Sequence, residues 1–315
     1  MQIARRSDLV FVIILALALG GGVALIGYRI DPLLVWIGPL AMALVVLIGA
    51  KRPIRRFRAV RKSFPETWKS WLAENIPLYE EMAVEGRERF EHDIQMFLSD
   101  QSFEGVGAEV TDDLRLMVGA GAALMLAGRP EWELPHGRTI LFYPESFDDR
   151  YDLGEGRDPF DDAPDIDGMV HPQGPVILSV PSVEEGWRYS GDGCNVVLHE
   201  LAHLFDFDSQ GADGVPSLMD PASAEAWQRL VRAEMRRART GKSLLSRYAA
   251  THPSELFAVA VERFFERPVD MAALHPELFE ALTNFFNLDP RPAASQTTSE
   301  ADQGVSIMSR RWRAE

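Results

Sequence analysis

The sequence predicts an α+β domain preceded by a two-helix transmembrane hairpin, and three features carry that expectation. Leu9 to Tyr28 and Leu33 to Ala50 are nearly unbroken apolar stretches, each long enough to cross a bilayer as a helix. Past residue 62, apolar residues recur at helical spacing, with two short β-branched runs set between them. One helical stretch, Asn195 to Asp206, holds His199-Glu-Leu-Ala-His203 within apolar flanks, so the domain is expected to be built around it.

The hairpin turns at Asp31-Pro32, and its flanks are basic. Arg5 and Arg6 precede the first span; Lys51, Arg52, Arg55, Arg56, Arg58, Arg61 and Lys62 follow the second. The positive-inside rule then puts both ends, and the domain that follows, in the cytoplasm. A signal peptide cleaved after Ala16-Leu-Ala18 is the rival reading, and the second span would still leave the domain on the same side. The whole chain carries −15, of which residues 1–62 contribute +8, so the remainder carries −23. That excess of acid excludes nucleic acid as a partner, since phosphate backbones require clustered basic surface. The one basic cluster abuts a span and is ascribed to anionic lipid and topology. A single cysteine, Cys194, rules out an intrachain disulfide; it reads as a packing residue and suits a reducing compartment.

Residues 1–62 are thus read as hairpin and basic juxtamembrane segment, 63–290 as the domain, and 291–315 as a disordered tail rich in Pro, Ala, Ser, Thr and Gln. Within the domain, residues 64–135 read as mostly helical, with helices at Leu78–Phe97 and Asp112–Ala127. Thr139–Tyr143 reads as a strand, and so does Gly174–Pro181, whose bordering prolines and short β-branched run suit either an edge strand able to take up extended peptide or an ordinary core strand. Between them, Phe147–Asp167 is an acidic, Gly- and Pro-rich stretch read as a surface loop overhanging a cleft. Thr251–Glu266 and Pro276–Phe286 supply two further helices.

His199 and His203 lie at i and i+4, where a helix stacks both imidazoles on one face and lets them share one cation. Glu200 follows the first of them, out of easy reach of the same coordination sphere but placed to take a proton from an activated water. A third ligand has to come from elsewhere. Position 209 is Ser, which excludes the metzincin spacing, and the other histidines, His92, His136, His171, His252 and His275, are remote in sequence. Glu255 and Glu262 remain, seven residues apart on one helical face and separated by the apolar run Leu256 to Val261. A buried carboxylate without a cation is costly, so each is either a ligand or the partner of an arginine such as Arg263 or Arg247. Asp206 lies one turn beyond His203, where it can orient a ligand from behind or cap the turn Asp206–Gly211.

The strings HELAHLFD, Gly214-Val-Pro216, Tyr248-Ala-Ala-Thr-His-Pro-Ser-Glu255 with Phe257-Ala-Val259, and Gly174-Pro-Val-Ile-Leu178 resemble the zinc-dependent peptidases of the Mlc titration factor A family. The resemblance spans roughly residues 64 to 290, and the catalytic half of that family is in turn similar to anthrax lethal factor. It implies a gluzincin-like zinc site with His199, His203 and Glu255 as ligands, favours Glu255 over Glu262, and matches Tyr248 to the family's conserved-motif tyrosine. The expected protein is a zinc metallopeptidase held at the inner face of a bacterial plasma membrane by residues 9–50 and acting on peptide or protein substrates. Glu200 would be general base, Tyr248 would stabilise the oxyanion, and Asp206 and Glu262 would support the ligands from behind. Because the family also acts by binding a transcriptional repressor, the alternative is a regulatory protein-binding module with weak or no peptidase activity.

Overall fold

The computed structural model describes residues 1–135, 138–146, 167–170, 174–206, 214–241, 243–293 and 295. Most of Phe147–Asp167, the turn after Asp206 and most of the tail from residue 291 lie outside the described residues, and with them the expected overhanging loop and disordered tail.

The chain begins with helix α1 (Arg6–Ile30) and helix α2 (Ile37–Val60), joined by a 3₁₀ turn over Pro32–Trp36. Asp31 starts that turn, its carboxylate accepting from the Leu33 N–H at 2.8 Å. The helices cross closely because small residues meet: a Cβ on Gly38 would lie 2.5 Å from both Ala24 Cβ and Gly20 O. Phe11, Ile14, Leu40 and Leu47 point outward. Both helices are long and apolar enough to cross a membrane, and their outer faces are left uncovered by the rest of the chain.

Three helices follow, α3 (Glu66–Asn75), α4 (Pro77–Glu81) and α5 (Val84–Asp100). The single helix expected over Leu78–Phe97 is therefore two, because Arg87 donates to the carbonyls of Glu80 and Met82 and ends α4 there. Strand β1 (Ser102–Gly105) comes next, in a region whose sequence reads as helical, then helix α6 (Asp112–Leu126) with Thr111 as its N-cap. Strands β2 (Thr139–Tyr143), β3 (Gly168–Val170) and β4 (Val176–Ser179) complete a sheet of order β1-β2-β4-β3, parallel except for β3.

The Gly174–Pro181 strand is thus not an edge strand; it lies inside the sheet, paired with β2 on one side and β3 on the other. Its residues are buried on both faces, as a continuous apolar run requires, and its trailing Pro181 begins helix α7 (Val180–Arg188) rather than guarding an edge. Among the described residues β3 is the outer strand at that end. The remaining helices are α8 (Val196–Asp206), α9 (Pro221–Arg239), α10 (Pro253–Glu266), α11 (Pro268–Leu274) and α12 (Pro276–Phe286). α8 packs between α6 and α10, with the β3 end of the sheet along its flank.

The basic cluster after the second span is not left to lipid. α2 runs unbroken through it and lies along α5, where Arg56, 1% exposed, donates to Asp100 Oδ2 at 2.6 Å and to Glu133 Oε1 at 2.7 Å. Arg52 reaches the same two carboxylates, Arg55 reaches Asp100, and Arg5, ahead of the first span, lies 3.4 Å from Glu133. Lys51, Arg58, Arg61 and Lys62 stay exposed, so only they remain for lipid headgroups. Burial alone would raise the Asp100 and Glu133 pKa values, but the hydrogen bonds and charges of Arg56 and Arg52 outweigh it and hold both below the ordinary range.

Groups with depressed folded pKa values stabilise the docked hairpin fully above the ordinary carboxylate pKa of about 4, and that stability is lost as pH falls through the depressed values. The hydrogen-exchange protection factors of residues 51–60 in detergent micelles, corrected for intrinsic exchange at each pH, are therefore expected to be high at neutral pH and to fall in acid. Asp100→Asn, which removes one of the two carboxylates on buried Arg56 and leaves Glu133 as the other, is expected to cost roughly 1.5–3 kcal/mol, the scale of a hydrogen bond to a charged group, and to speed exchange in the same segment at neutral pH. Exchange indifferent to both changes would mean that the ion cluster does not hold the hairpin.

Candidate metal centre

Helix α8 owes its start to Asn195, whose Oδ1 accepts from Leu198 N–H at 3.2 Å while its Nδ2 donates to Gly186 O. Val197, Leu198, Leu201, Ala202, Leu204 and Phe205 are buried, which leaves His199, Glu200 and His203 to face α10 and β3. Helix α10 begins at Pro253 with His252 as its cap, and its Leu256–Val261 run is wholly buried, as its composition predicts. Its two carboxylates, two turns apart, both arrive at His199.

Glu255 Oε2 lies 3.2 Å from His199 Nε2 and Glu255 Oε1 lies 3.5 Å from His203 Nε2, while the two Nε2 atoms are 3.3 Å apart. Tetrahedral coordination through bonds of about 2.0–2.2 Å spaces donor atoms roughly 3.3–3.6 Å from one another. His199, His203 and Glu255 thus form a group that fits a metal ion. Glu262 is on the other side of the ring, with Oε1 2.7 Å from His199 Nδ1 and Oε2 accepting from Asn195 N–H at 2.8 Å. A proton on Nδ1 shared with Glu262 turns the Nε2 lone pair of His199 toward His203 and Glu255. Among the described residues neither glutamate pairs with an arginine; Arg263 donates instead to Asp192 O.

Burial works against a charge on His199, but the carboxylates of Glu255 and Glu262 outweigh it and hold its pKa well above the ordinary value. The same carboxylates that favour a proton there favour a cation. Glu255 in turn is held far below the ordinary range: burial opposes this, and its contacts with His199 and His203 prevail. Glu200, 4% exposed on the face toward β3, has its pKa pushed up to about 7 by burial, with the two histidines pulling back and Glu255 and Glu262 adding to the rise. The ring of Tyr248, in the 3₁₀ turn Tyr248–Ala250 ahead of α10, lies 6.2 Å from that of His199. Partial desolvation and the Glu255 carboxylate raise its phenol above the usual range, so it stays a hydrogen-bond donor.

Asp206, the last residue of α8, is fully buried, and its Oδ1 accepts from Gly214 N–H at 2.9 Å. Gly214 O in turn accepts from the Trp227 indole of α9, so Asp206 closes the segment that returns the chain to α9 and α10. Cys194 is exposed, two residues ahead of α8, with its sulfur 4.0 Å from Arg263 Nη2; it is not the packing residue its sequence position suggests. Two site residues escape sequence reasoning. Asn195 carries a readable signal, a capping residue just before an apolar periodic run. Gly168 carries none: it opens β3 against Glu200, at the far end of an acidic stretch with no periodicity.

Comparison with known proteins agrees with this geometry. Residues 51–287 match the family of glucose-regulated metallo-peptidase M90. An uncharacterized protein of Synechocystis sp. is 29% identical over 289 residues, covering 80% of this chain and 98% of that protein. The Mlc titration factor A proteins of Salmonella paratyphi B and Salmonella typhimurium are 30% identical over 197 residues, covering 55% of this chain and 68% of each of theirs. The matched stretch begins within α2, so Arg52, Arg55 and Arg56 fall inside the shared domain together with Asp100, Glu133 and the His-His-Glu group. The chain belongs to the glucose-regulated metallo-peptidase M90 family.

Proposed function

We propose that this chain is a zinc-dependent peptidase with a domain over residues 63–290, tethered by residues 9–50 to a bacterial plasma membrane with that domain in the cytoplasm. The observation that carries the reading is the spacing of the three donor atoms, with Glu200 held beside them on the same helix face. Two imidazoles and one carboxylate are a donor set that zinc takes in peptidases. When bound, zinc supplies a Lewis acid that polarises a peptide carbonyl and lowers the pKa of a water to about 7. Glu200 accepts the proton of the attacking water and hands it to the departing amine nitrogen. Tyr248, kept protonated, donates to the carbonyl oxygen as negative charge develops on it. Glu262 fixes the orientation and tautomer of His199 from behind. Outer strand β3, beside Glu200, offers a backbone edge to which extended peptide can add as a strand.

A second reading has one observation in its favour. Relatives carry the name Mlc titration factor A, so this chain too could serve by sequestering a transcriptional regulator. A module that only binds needs the metal ligands but no base, and Glu200 distinguishes the two. Glu200→Gln is expected to keep one zinc per chain and to abolish hydrolysis in peptide-library profiling. Hydrolysis by Glu200→Gln equal to that of the wild type, with both freshly reloaded with zinc, would leave only the binding role.

Ligand and supporting carboxylate should separate in metal content. Glu255→Ala is expected to lose zinc, while Glu262→Ala keeps it with affinity or activity reduced about 10- to 100-fold. Tyr248→Phe is expected to retain zinc and KM while kcat falls roughly 10²- to 10³-fold, the loss of one donor to the oxyanion. A fully active Tyr248→Phe would remove the tyrosine from the mechanism.

Topology is tested separately. Basic residues flank both ends of the hairpin, and Arg5 from one end and Arg52 and Arg56 from the other meet at Glu133, which supports both ends lying on one side. A reporter fused after residue 62 is expected to be active only in its cytoplasmic form; activity of a periplasmic reporter at that point would reverse the assignment.

A further inference from the structure

Gly168 is the first residue of the outer strand β3, and it lies against the side of α8 that carries Glu200. A Cβ at this position would fall 2.6 Å from Glu200 Cγ, 2.6 Å from Glu200 Oε1 and 2.7 Å from Val196 Cγ2. Carbon atoms in contact ordinarily stand about 3.5–4.0 Å apart, so something must move if the hydrogen at Gly168 is replaced.

The surroundings decide what moves. The strand cannot easily slide, because Asp167 just before it is tied on three sides: its carbonyl accepts from Ser179 N–H at 2.9 Å, and its Oδ1 accepts from Ser146 Oγ at 2.7 Å and Ser182 Oγ at 2.9 Å. Gly168 itself is in register with Leu178 of the buried strand β4. The helix is equally fixed, with both faces of α8 packed in the core. Val196, one turn before Glu200 on the same face, has a single strongly preferred rotamer in a helix. Glu200 meets the added atom with the flexible part of a long side chain, Cγ and Oε1, rather than with backbone. The carboxylate is the part that yields.

We propose that Gly168 is a positioning residue for Glu200: by having no side chain, it leaves the space in which the carboxylate lies beside the His-His-Glu group. This rests on the reading of Glu200 as general base. A side chain at 168 turns the base away from the reacting water while the ligands, on the opposite side of the contact, stay where they are. Misplacement of a reacting group by about 1 Å can cost on the order of 10²-fold in rate.

The test uses the full chain in detergent, an internally quenched peptide selected by library profiling of the wild type, and a crystal structure of the variant. Gly168→Ala is expected to keep one metal per chain and a KM within about twofold of wild type while kcat falls about 10²-fold, and its crystal structure is expected to have Glu200 rotated away from the imidazole pair. Val196→Ala separates positioning from packing, since it relieves the other contact alone. The kcat loss from Gly168→Ala should persist in the Val196→Ala background, where only the contact with Glu200 remains. Restoration of activity by Val196→Ala, an unmoved Glu200, loss of metal, or unfolding of Gly168→Ala with and without Val196→Ala would each make Gly168 a packing glycine and overturn the proposal. An active Glu200→Gln would sink the peptidase reading instead, whereas an inactive Glu200→Gln beside a fully active Gly168→Ala would sink the positioning role alone.

Discussion

Glu255 and Glu262 approach His199 from one helix, one at each ring nitrogen, and the organisation of the site depends on that double contact. It fixes the rotation of α10 against α8, because carboxylates two turns apart can meet the same imidazole only if their shared face looks at it. It also assigns the two acids different surroundings, one facing His203 as well and the other facing the backbone of Asn195. With Glu200 there are three carboxylates and two imidazoles in a pocket whose walls are apolar. Buried like charges at such density are tolerable only when a cation joins them. The charge inventory and the donor spacing therefore both suit a metal ion.

Around this pair the rest of the domain serves as a clamp. α6 presses on α8 from behind, and an aromatic cluster that includes Trp132, Phe205, Phe257, Phe285 and Phe286 fills the space between α8, α10 and α12. Aromatic pairs in edge-to-face contact add stability beyond their buried area, and they resist the sliding that would part the ligands. At the other end of the molecule, Asp100 ends α5 just ahead of β1, and Glu133 lies upstream of β2. The arginines of the hairpin therefore grip the elements that lead into the sheet, and the sheet ends in β3 beside Glu200. Hairpin and site share one frame.

Much of this was legible because the sequence states it in strong local signals. Two long apolar stretches, the 139–143 strand, the helix over Pro276–Phe286 and the HExxH helix each obey a period or a motif that tertiary contacts did not need to override. Other elements were silent or misleading for physical reasons. Strand β1 holds one apolar side chain at an open edge, so no alternation marks it. β4 is an apolar run bordered by proline, which suits an edge strand as well as a buried one, and only pairing decides between them. α9 carries a usable signal: Asp220 caps it, Pro221 begins it, and Trp227, Val231 and Met235 recur every fourth residue. Arg52, Arg55 and Arg56 read as lipid-facing in sequence because their partners, Asp100 and Glu133, are more than forty and seventy-five positions away from Arg56, at no fixed spacing. Gly168 is the limiting case, since what matters there is a missing atom.

The burial of Glu200 bears on whether this site is made to act or only to bind. Its carboxylate is nearly inaccessible, is raised toward neutrality by that burial, and accepts no hydrogen bond among the described residues. Asp206 and Glu262, equally enclosed on α8 and α10, each accept a backbone N–H instead. A largely buried acid whose pKa is raised by that burial lowers stability, and such groups gather where a protein needs a proton moved. Stability would be better served at this position by an apolar residue of similar volume, which a pure docking surface could accept without loss. A carboxylate kept there at that cost, beside three side chains spaced to hold a metal ion, is what the proposed peptidase role requires and what docking alone does not.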